Sequence, residues 1–509
     1  MTKIADEAKS GVRLLRLFYA ALAGVLTLIL INTVVFNPYY TMLYGSNVWR
    51  ILSGTLISVL MLWGIDLAIR RHLSTLEAKY SRILACFCGL MTVILILFGY
   101  YLEFKPINDI EAVFEGAKDW AVSGSFARNS IYKSYFSRYP HNIGMTAFLT
   151  VLFKICQALE IQNLFMAATV LNAVLCIGMM MCAIDILRRF SGVRGALLGL
   201  TLLSMNLPFA FCAASIYTDA YSLVFPPMIL WSYLKMRDAA SWPLVFRYAL
   251  LTAAVAFVGS LIKATVVIML IAVLIELLVK RKWKPLVILS IGATIIFSGG
   301  YAAWNQMIYN HHIPKTELQR EKFPVMFWLM MGQNDESWGL YNYADTHNAQ
   351  LQPGYEERLR MTRETFVSRA KEHFYTPQRL IDWLKIKASI TFGDGTFGIS
   401  GALNEQIRRT FLCEVVHPSG AFFSVFYIYS TGVYCVMLLS VIRLSLRSAM
   451  LRDGVGLHDP TVCIALFGII IFLLFWEAGS RYFFNYLPVL LIASAMGITL
   501  PYANCVSAD

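Results

Sequence analysis

Four charged side chains stand out because each lies at the end of a long apolar run. Asp109 and Asp219 are carboxylates, and Lys263 and Arg481 are cations. A carboxylate can take a proton from a hydroxyl group or help to hold a divalent metal. Lysine and arginine suit an anionic phosphate, which arginine can bind through two parallel hydrogen bonds. Acids beside cations are therefore typical of group transfer from a phosphate-bearing donor to a hydroxyl acceptor.

Other polar residues accompany the first acid. Glu111 follows Asp109 at the start of a predicted surface helix, where Asn108 and Glu111 have the spacing of a capping box. The capping box would explain Glu111 without a functional role and would leave Asp109 unexplained. Further along, His141 and Asn142 stand between a proline and a glycine, where the chain enters another apolar stretch.

The last polar segment contains Glu477, Arg481 and Tyr482. Glu477 and Arg481 are one helical turn apart, so a mutual ion pair and ligand binding both remain open. No motif requires a resident cofactor, although the acids leave room for a divalent metal.

The composition shows what kind of scaffold must hold these residues. The 509 residues are 58% hydrophobic and 15% charged, with a mean hydropathy of +0.60. Soluble domains are about 45–50% apolar and about 25% charged, so the sequence predicts an all-α polytopic membrane protein. A helix needs about 20 apolar residues to cross the hydrocarbon core. The predicted spans are 14–36, 49–69, 83–103, 164–187, 196–214, 220–236, 248–263, 264–279, 285–303, 420–442, 460–477 and 483–500.

Basic residues predict the orientation of these twelve spans. About half of the 43 Lys and Arg residues lie in six segments, and short basic loops stay in the cytoplasm. These residues are Lys3, Lys9, Arg13, Arg16, Arg70, Arg71, Lys79, Arg82, Arg188, Arg189, Arg194, Lys235, Arg237, Arg247, Lys280, Arg281, Lys282, Lys284, Arg443, Arg447 and Arg452. They account for much of the net charge of +12 and argue against a nucleic-acid partner. All six segments share one side only if the short stretch 143–158 is a re-entrant or juxtamembrane helix.

This topology divides the chain into five predicted parts. They are the N-terminal spans 1–103, a first large outer loop with juxtamembrane helices 104–163, a central transmembrane bundle 164–303, an extracytoplasmic loop subdomain 304–419, and the C-terminal spans 420–509. A charged amphipathic stretch at 356–373 predicts a surface helix within the subdomain. The candidate residues all fall on the extracytoplasmic side.

The sequence resembles the polyprenyl-phosphate-sugar-dependent membrane glycosyltransferases of the GT-C fold, which include protein O-mannosyltransferases and lipid A aminoarabinose transferases. The resemblance rests on short motifs spread over residues 83–500. These are Asp109 with Glu111 after a span, Tyr139-Pro140-His141-Asn142, Tyr217-Thr218-Asp219, the outer segment Phe323-Pro324 to Asp345, and Glu477 with Arg481-Tyr482.

The resemblance implies a role for each matched position. Asp109 matches the acid that serves as catalytic base or positions the acceptor. Asp219 matches a second acid, which orients the acceptor or helps to bind a metal, and Glu111, His141 and Asn142 join it in that group. Lys263, Arg481 and Tyr482 would bind the lipid phosphate. Residues 109–111 read Asp-Ile-Glu, where a metal-binding Asp-x-Asp would have a second aspartate.

Residues and resemblance together predict a multi-pass enzyme of a bacterial plasma membrane, with its active site on the extracytoplasmic face. It would transfer a sugar from a polyprenyl-phosphate donor, with inversion, to a glycan, lipid or protein acceptor among the surrounding membrane lipids. Trp328, Trp338 and Tyr341 would stack on sugar rings or form the core of the subdomain. The alternatives are a transporter or flippase, and a polymerase or ligase, of lipid-linked saccharides.

Overall fold

In a computed structural model the protein is described at residues 2–403, 406–450 and 459–500, and these parts of the chain consist mainly of helices joined by loops and turns. A single isolated bridge joins Phe104 to Gln406. The longer helices are Thr2–Ile31, Val48–Arg71, Tyr80–Tyr101, Asn108–Ser123, Ile143–Ala158, Leu164–Met205, Phe225–Arg237, Trp242–Ile262, Val267–Val279, Trp283–His311, Tyr355–His373, Pro377–Phe392, Phe423–Met450, Pro460–Phe475 and Leu487–Thr499. The shorter α-helices are Pro38–Tyr44, Leu73–Ala78, Ser130–Arg138, Leu207–Phe211, Thr218–Tyr221, Lys315–Glu321, Val325–Met331, Tyr343–Gln350, Ile399–Ala402, Phe411–Val416 and Arg481–Phe484.

The helices confirm an all-α polytopic membrane protein, but they do not confirm twelve spans. Seven described helices are long and apolar enough to cross a membrane, or eight if one bent pair is a single span. Three further apolar helices, Ala264–Val279, Pro460–Phe475 and Leu487–Thr499, are shorter. The basic residue Arg452, used above for orientation, lies outside the described residues.

Two of the predicted spans meet in one long helical element. Leu164–Met205 contains 42 residues and is broken at Gly192, where φ is 65° and ψ is −166°. A residue with a side chain rarely adopts that backbone conformation, so a glycine is suited to the break. Arg188 and Arg194 flank the break, and Arg194 donates to both carboxylate oxygens of Asp66 at 2.8 and 2.9 Å.

A sharp bend carries the second predicted acid. Helices Leu207–Ala214 and Thr218–Arg237 meet at 116° across a short break. The backbone of Tyr217 is extended at the break, with φ −149° and ψ 169°, and Asp219 lies in the first turn that follows. The bend therefore places Tyr217 and Asp219 in the interior of the protein, where both are buried.

The helix that carries Asp109 in its first turn packs on the stretch 143–158. Asn108–Ser123 buries Val113, Phe114 and Ala117, and the Phe114 ring meets the Phe153 ring edge to face at 5.2 Å. Ile143–Ala158 has 16 residues and so spans about 24 Å, less than the roughly 30 Å of a hydrocarbon core. Whether it is re-entrant remains a prediction.

The predicted capping box at the start of this helix is wrong. The helix begins at Asn108, its N-cap is Ile107, and no side chain caps it. Asn108 adopts a positive φ of 52°, which asparagine tolerates better than most residues. Glu111 is exposed.

Between the apolar helices, residues 315–392 form a group of shorter helices around a small core of their own. Phe323, Phe327, Met330, Met331 and Ala349 make up this core. The predicted surface helix is confirmed as Tyr355–His373. Its Arg369 binds the buried Asp345 through two contacts of 2.7 and 2.9 Å, which joins it to Tyr343–Gln350.

Candidate functional site

Asp109 lies in a hydrogen-bonded group of polar side chains. The hydroxyl of Tyr135 donates to Asp109 Oδ1 at 2.8 Å, and the hydroxyl of Tyr217 lies 3.3 Å from Oδ2. Burial and the negative charge of Asp109 raise the pKa of Tyr135, so its hydroxyl stays protonated and remains a donor. A carboxylate offers about four lone-pair positions, so Asp109 keeps acceptor capacity for a further hydroxyl group.

Asn142 completes this group from the opposite side. Its amide nitrogen donates to the Tyr135 hydroxyl at 2.6 Å, and its amide oxygen lies 3.4 Å from the Tyr217 hydroxyl. Gly144 explains how this turn approaches the rest of the site. A Cβ atom there would lie 1.8 Å from the carbonyl oxygen of Leu261, so only glycine lets the two backbones come so close.

Leu261 precedes Lys263, the cation of the next segment. Helix Trp242–Ile262 ends just before Lys263. The backbone of Lys263 is extended, and the 3-10 turn Ala264–Val266 follows it. The Lys263 ammonium group forms an ion pair with Asp219, and both side chains are about nine-tenths buried. Two charges that are removed from water must be paired, because a single buried charge is costly. Lys263 and Asp219 are therefore each other's partners in this structure.

Arg481 is placed differently from Lys263. Its guanidinium group lies 5.0 Å from the centre of the Tyr482 ring and 5.6 Å from that of Tyr217. The guanidinium group donates to the Tyr482 hydroxyl at 3.3 Å and interacts electrostatically with the carboxylate of Asp219. Among the described residues no salt bridge to Arg481 is found, although the charges of Asp219 and Glu477 act on it.

Glu477, for which an ion pair with Arg481 and ligand binding were both left open, belongs to the same group. Glu477 is buried, hydrogen-bonds to Tyr482 and faces the charges of Arg481, Asp109 and Lys387. Lys387 is fully buried and donates to the carbonyl oxygens of Gly332, at 2.9 Å, and of Trp476. Lys387 thus holds the backbone next to Glu477.

His141 lies beside these residues with an accessible imidazole ring. The ring lies nearly perpendicular to those of Trp328 and Tyr139, with ring centres 5.1 and 6.1 Å away, respectively. The surrounding protein disfavours the charged imidazolium and lowers the pKa of His141 to about 4, while the charge of Asp109 opposes that shift and the charge of Lys263 adds to it. The imidazole is therefore neutral at pH 7 and offers one donor and one acceptor.

We call these side chains the polar cluster: Asp109, Tyr135, His141, Asn142, Tyr217, Asp219, Lys263, Glu477, Arg481 and Tyr482. It brings together every candidate residue predicted from the sequence except Glu111. Glu111 is exposed and makes no hydrogen bond or salt bridge with another described side chain. Tyr135, Tyr217 and Glu477 are the members that were not among the predicted site residues.

A divalent metal does not fit the donors in this part of the chain. No group of three or more His, Cys, Asp or Glu side chains in the described residues is arranged to hold a metal ion. Asp219 is engaged by Lys263, and Glu111 is separated from Asp109. We therefore derive no step that involves a metal.

Trp328, Trp338 and Tyr341 have different environments. Trp328 stacks on Trp476 with ring centres 5.7 Å apart, and it packs against the core around Phe327. Trp338 and Tyr341 are exposed, at 37% and 56% of their surfaces. Trp328 is thus a packing residue next to His141, whereas the other two face the surroundings.

Comparison with known proteins gives three results. No curated protein matches this sequence. Among solved structures, the chain is similar to ArnT from Cupriavidus metallidurans bound to undecaprenyl phosphate, with 13% identity and a TM-score of 0.35 over 81% of this chain and 77% of that chain. No conclusion is drawn from a likeness at this TM-score. A family described as conserved hypothetical integral membrane protein matches residues 14–501, which is nearly the whole chain, and the protein therefore belongs to this family of integral membrane proteins.

Proposed function

We propose that this protein is a membrane glycosyltransferase of the GT-C type. It transfers a sugar from a polyprenyl-phosphate donor to a glycan, lipid or protein acceptor at the extracytoplasmic face of the plasma membrane. The observation that carries the proposal is the polar cluster itself. Acids and cations from four separate segments meet there, at the ends of apolar helices, where a lipid-linked substrate would present its headgroup.

The donor phosphate binds next to Arg481. Its guanidinium group lies beside the rings of Tyr217 and Tyr482, and it forms no salt bridge with a described carboxylate. Arginine matches phosphate oxygens through its fork of N–H groups. Lys263 adds positive charge from its pair with Asp219, and this charge is partly neutralised by that partner. Arg481 is therefore the main phosphate ligand of the proposal.

Asp109 accepts the proton of the acceptor. Tyr135 and Tyr217 hold its carboxylate while leaving lone pairs open. The acceptor hydroxyl oxygen attacks the anomeric carbon, the bond from that carbon to the phosphate oxygen breaks, and the hydroxyl proton moves to Asp109. The polyprenyl phosphate leaves as an anion beside Arg481, so the charge that develops is already balanced. Attack opposite the leaving group inverts the anomeric centre.

A transporter or flippase predicts a different arrangement of charges. It needs polar groups along a path through the bilayer, whereas the buried acids Asp66 and Glu276 of the apolar helices lie near the basic ends of those helices. Asp66 pairs with Arg194 and Arg70 at such an end. Glu276 contacts Lys280 and Arg237 at another. This separation supports an enzyme that works at one face.

The test measures sugar transfer by the full-length protein in lipid nanodiscs supplied with radiolabelled polyprenyl-phosphate monosaccharides and a membrane envelope extract. General acid–base catalysis contributes about 10²- to 10⁴-fold, so Asp109→Asn is expected to lose activity by about that factor. Glu111→Gln is the matched control, because this exposed carboxylate lies two residues away on the same helix. Full activity in Asp109→Asn would overturn the proposal. So would a protein that uses no such donor but moves saccharides across liposome membranes.

A further inference from the structure

A groove of about 210 Å³ lies in the group of helices between residues 315 and 392, and the proposed transfer reaction assigns it no role. We call it the tryptophan groove. It is lined by Asp335, Trp338, Glu372, His373, Arg379, Asp382, Trp383, Ile386 and Lys387. Its residues come from the loop after Val325–Met331 and from the two helices Tyr355–His373 and Pro377–Phe392.

Two tryptophans give the groove its apolar surface. Trp383 is mostly buried and stacks on His373 with ring centres 4.8 Å apart. Trp338 keeps 37% of its surface exposed. Its ring lies at right angles to that of Tyr39, with ring centres 5.9 Å apart. The backbone of Trp338 has a φ of 55°, a conformation that a bulky residue rarely adopts. Such strain persists only where the surrounding structure maintains it, and it is concentrated at binding sites.

Hydrogen-bonding groups surround these rings. Three carboxylates line the groove, from Asp335, Glu372 and Asp382, together with two cations, Arg379 and Lys387; Asp335 also lies 3.6 Å from the ring of His373. Gln378 orients Asp382 by donating to both of its oxygens at 3.0 Å. Apolar rings with acceptors at their edges suit a sugar ring, which has apolar C–H faces and a rim of hydroxyl groups. The excess of carboxylates disfavours an acidic sugar and favours one that bears an amino group.

The bottom of the groove is joined to the polar cluster. Lys387 lines the groove and donates to the carbonyl oxygen of Trp476, the residue before Glu477. The wall of the groove makes a second link, because the amide of Ala478 donates to the carbonyl oxygen of Gly339 at 2.6 Å. The groove therefore lies against the backbone segment that carries Glu477 of the polar cluster.

We propose that the tryptophan groove is a saccharide subsite that binds an amino-bearing sugar unit of a glycan acceptor. The place of this subsite in transfer rests on the proposed function, whereas binding itself requires no donor. Trp338 supplies a ring face, and Asp335, Glu372 and Asp382 receive the ammonium and hydroxyl groups.

The experiment measures binding of three tetrasaccharides to the full-length protein in nanodiscs without donor, by saturation-transfer NMR and calorimetry. The probes are the β-1,4-linked glucosamine tetramer, maltotetraose and tetragalacturonate. The glucosamine tetramer is expected to bind most tightly and tetragalacturonate most weakly. Equal or tighter binding of tetragalacturonate, or no binding of the glucosamine tetramer, would overturn the inference.

Two variants locate the binding. Trp338→Gly removes the ring and suits the positive φ, and it should weaken binding by about three- to tenfold, the value of one aromatic contact. Asp382→Asn should reduce the preference for the glucosamine tetramer over maltotetraose. Tyr343→Ala is the matched control, because Tyr343 is an exposed aromatic residue outside the groove in the same group of helices. Unchanged binding in both groove variants would contradict the assignment.

The outcomes for the groove and for the proposed function are separable. Tetrasaccharide binding without any sugar transfer would overturn the proposed function and leave the groove assigned. Transfer without tetrasaccharide binding would overturn the groove and leave the function. Asp109→Asn should abolish transfer and bind the glucosamine tetramer as the parent does, since Asp109 is absent from the groove lining.

Discussion

The Tyr135 hydroxyl donates to the Asp109 carboxylate at 2.8 Å and receives a hydrogen bond from Asn142 at 2.6 Å. Tyr135 is thus the link between the proposed base and the turn that precedes helix Ile143–Ala158. It touches Asp109 and leaves the opposite oxygen of that carboxylate to Tyr217. Tyr135 is a positioning residue for Asp109 in the proposed reaction.

Tyr135→Phe removes this link and should slow sugar transfer by about 10- to 100-fold, because hydrogen bonds to a charged group are worth about 1.5–3 kcal/mol. The loss should appear in kcat, with little change in KM for the donor, since the Arg481 side is untouched. Transfer kinetics in nanodiscs are the measurement. Tyr343→Phe, at an exposed tyrosine, is the control. An unchanged kcat in Tyr135→Phe would rule out the positioning role.

Arg481 is predicted to act through the donor phosphate. Arg481→Gln should reduce kcat/KM for the donor by about 10- to 100-fold, which is the value of a hydrogen bond between charged groups. Arg481→Lys should recover only part of this loss, because an ammonium group lacks the planar fork of guanidinium.

The measurement is the dependence of transfer rate on donor concentration, with Arg320→Gln as the control at an arginine whose side chain is 64% exposed. Full recovery by lysine would show that a point charge is sufficient. Equal kinetics in all three proteins would remove Arg481 from the phosphate site.

Lys263 and Asp219 are predicted to stabilise the fold only as a pair. Asp219→Asn leaves Lys263 buried without its partner, and loss of one member of a buried pair costs about 3–5 kcal/mol. The double variant Asp219→Asn with Lys263→Met removes the unpaired charge and should regain much of that stability. Thermal unfolding of the four proteins in detergent, treated as a double-mutant cycle, measures the coupling. A double variant less stable than both single variants would contradict the prediction.

The sequence could predict which segments carry the polar cluster, because the ends of long apolar runs can be read from the sequence. Asp109, Lys263 and Arg481 each stand where a long apolar stretch stops, so a consistent topology already placed them at one face. The sequence nevertheless kept Glu111 as a candidate beside Asp109. Two residues along a helix differ by about 200° in direction, so one of the pair had to point away, and the structure shows that it is Glu111.

Contacts between distant segments explain what the sequence did not predict. Tyr135 reaches Asp109 because the neighbouring Phe136 packs against helix Asn108–Ser123. The contact is close at Gly116, where a Cβ atom would lie 2.8 Å from the Phe136 ring. Lys387 gave no signal, since a single lysine in a charged helix usually faces water. It is buried here because Gly332 and Trp476 present carbonyl oxygens from two other segments. Neither pairing has a characteristic spacing in the sequence.

Lys387 gives a prediction for the dependence of stability on pH. Burial lowers the pKa of Lys387 to about 7, well below the usual 10.5, while the negative charge of Glu477 opposes that shift. Between pH 7 and about 10 the folded protein therefore binds fewer protons at this site than the unfolded chain does. Stability increases with pH wherever the unfolded state binds more protons, so the cost of burying the ammonium group is relieved as the pH rises through this window.

Lys387→Met removes the titrating group and should remove this contribution. The parent should gain stability relative to Lys387→Met between pH 7 and 10, by at most about 1.4 kcal/mol for each pH unit. Unfolding in detergent at several pH values measures the difference, and Lys371→Met, at an exposed lysine, should follow the parent. Parallel pH profiles for the parent and Lys387→Met would mean that Lys387 stays charged throughout, held by the carbonyl oxygens of Gly332 and Trp476 and by the charge of Glu477.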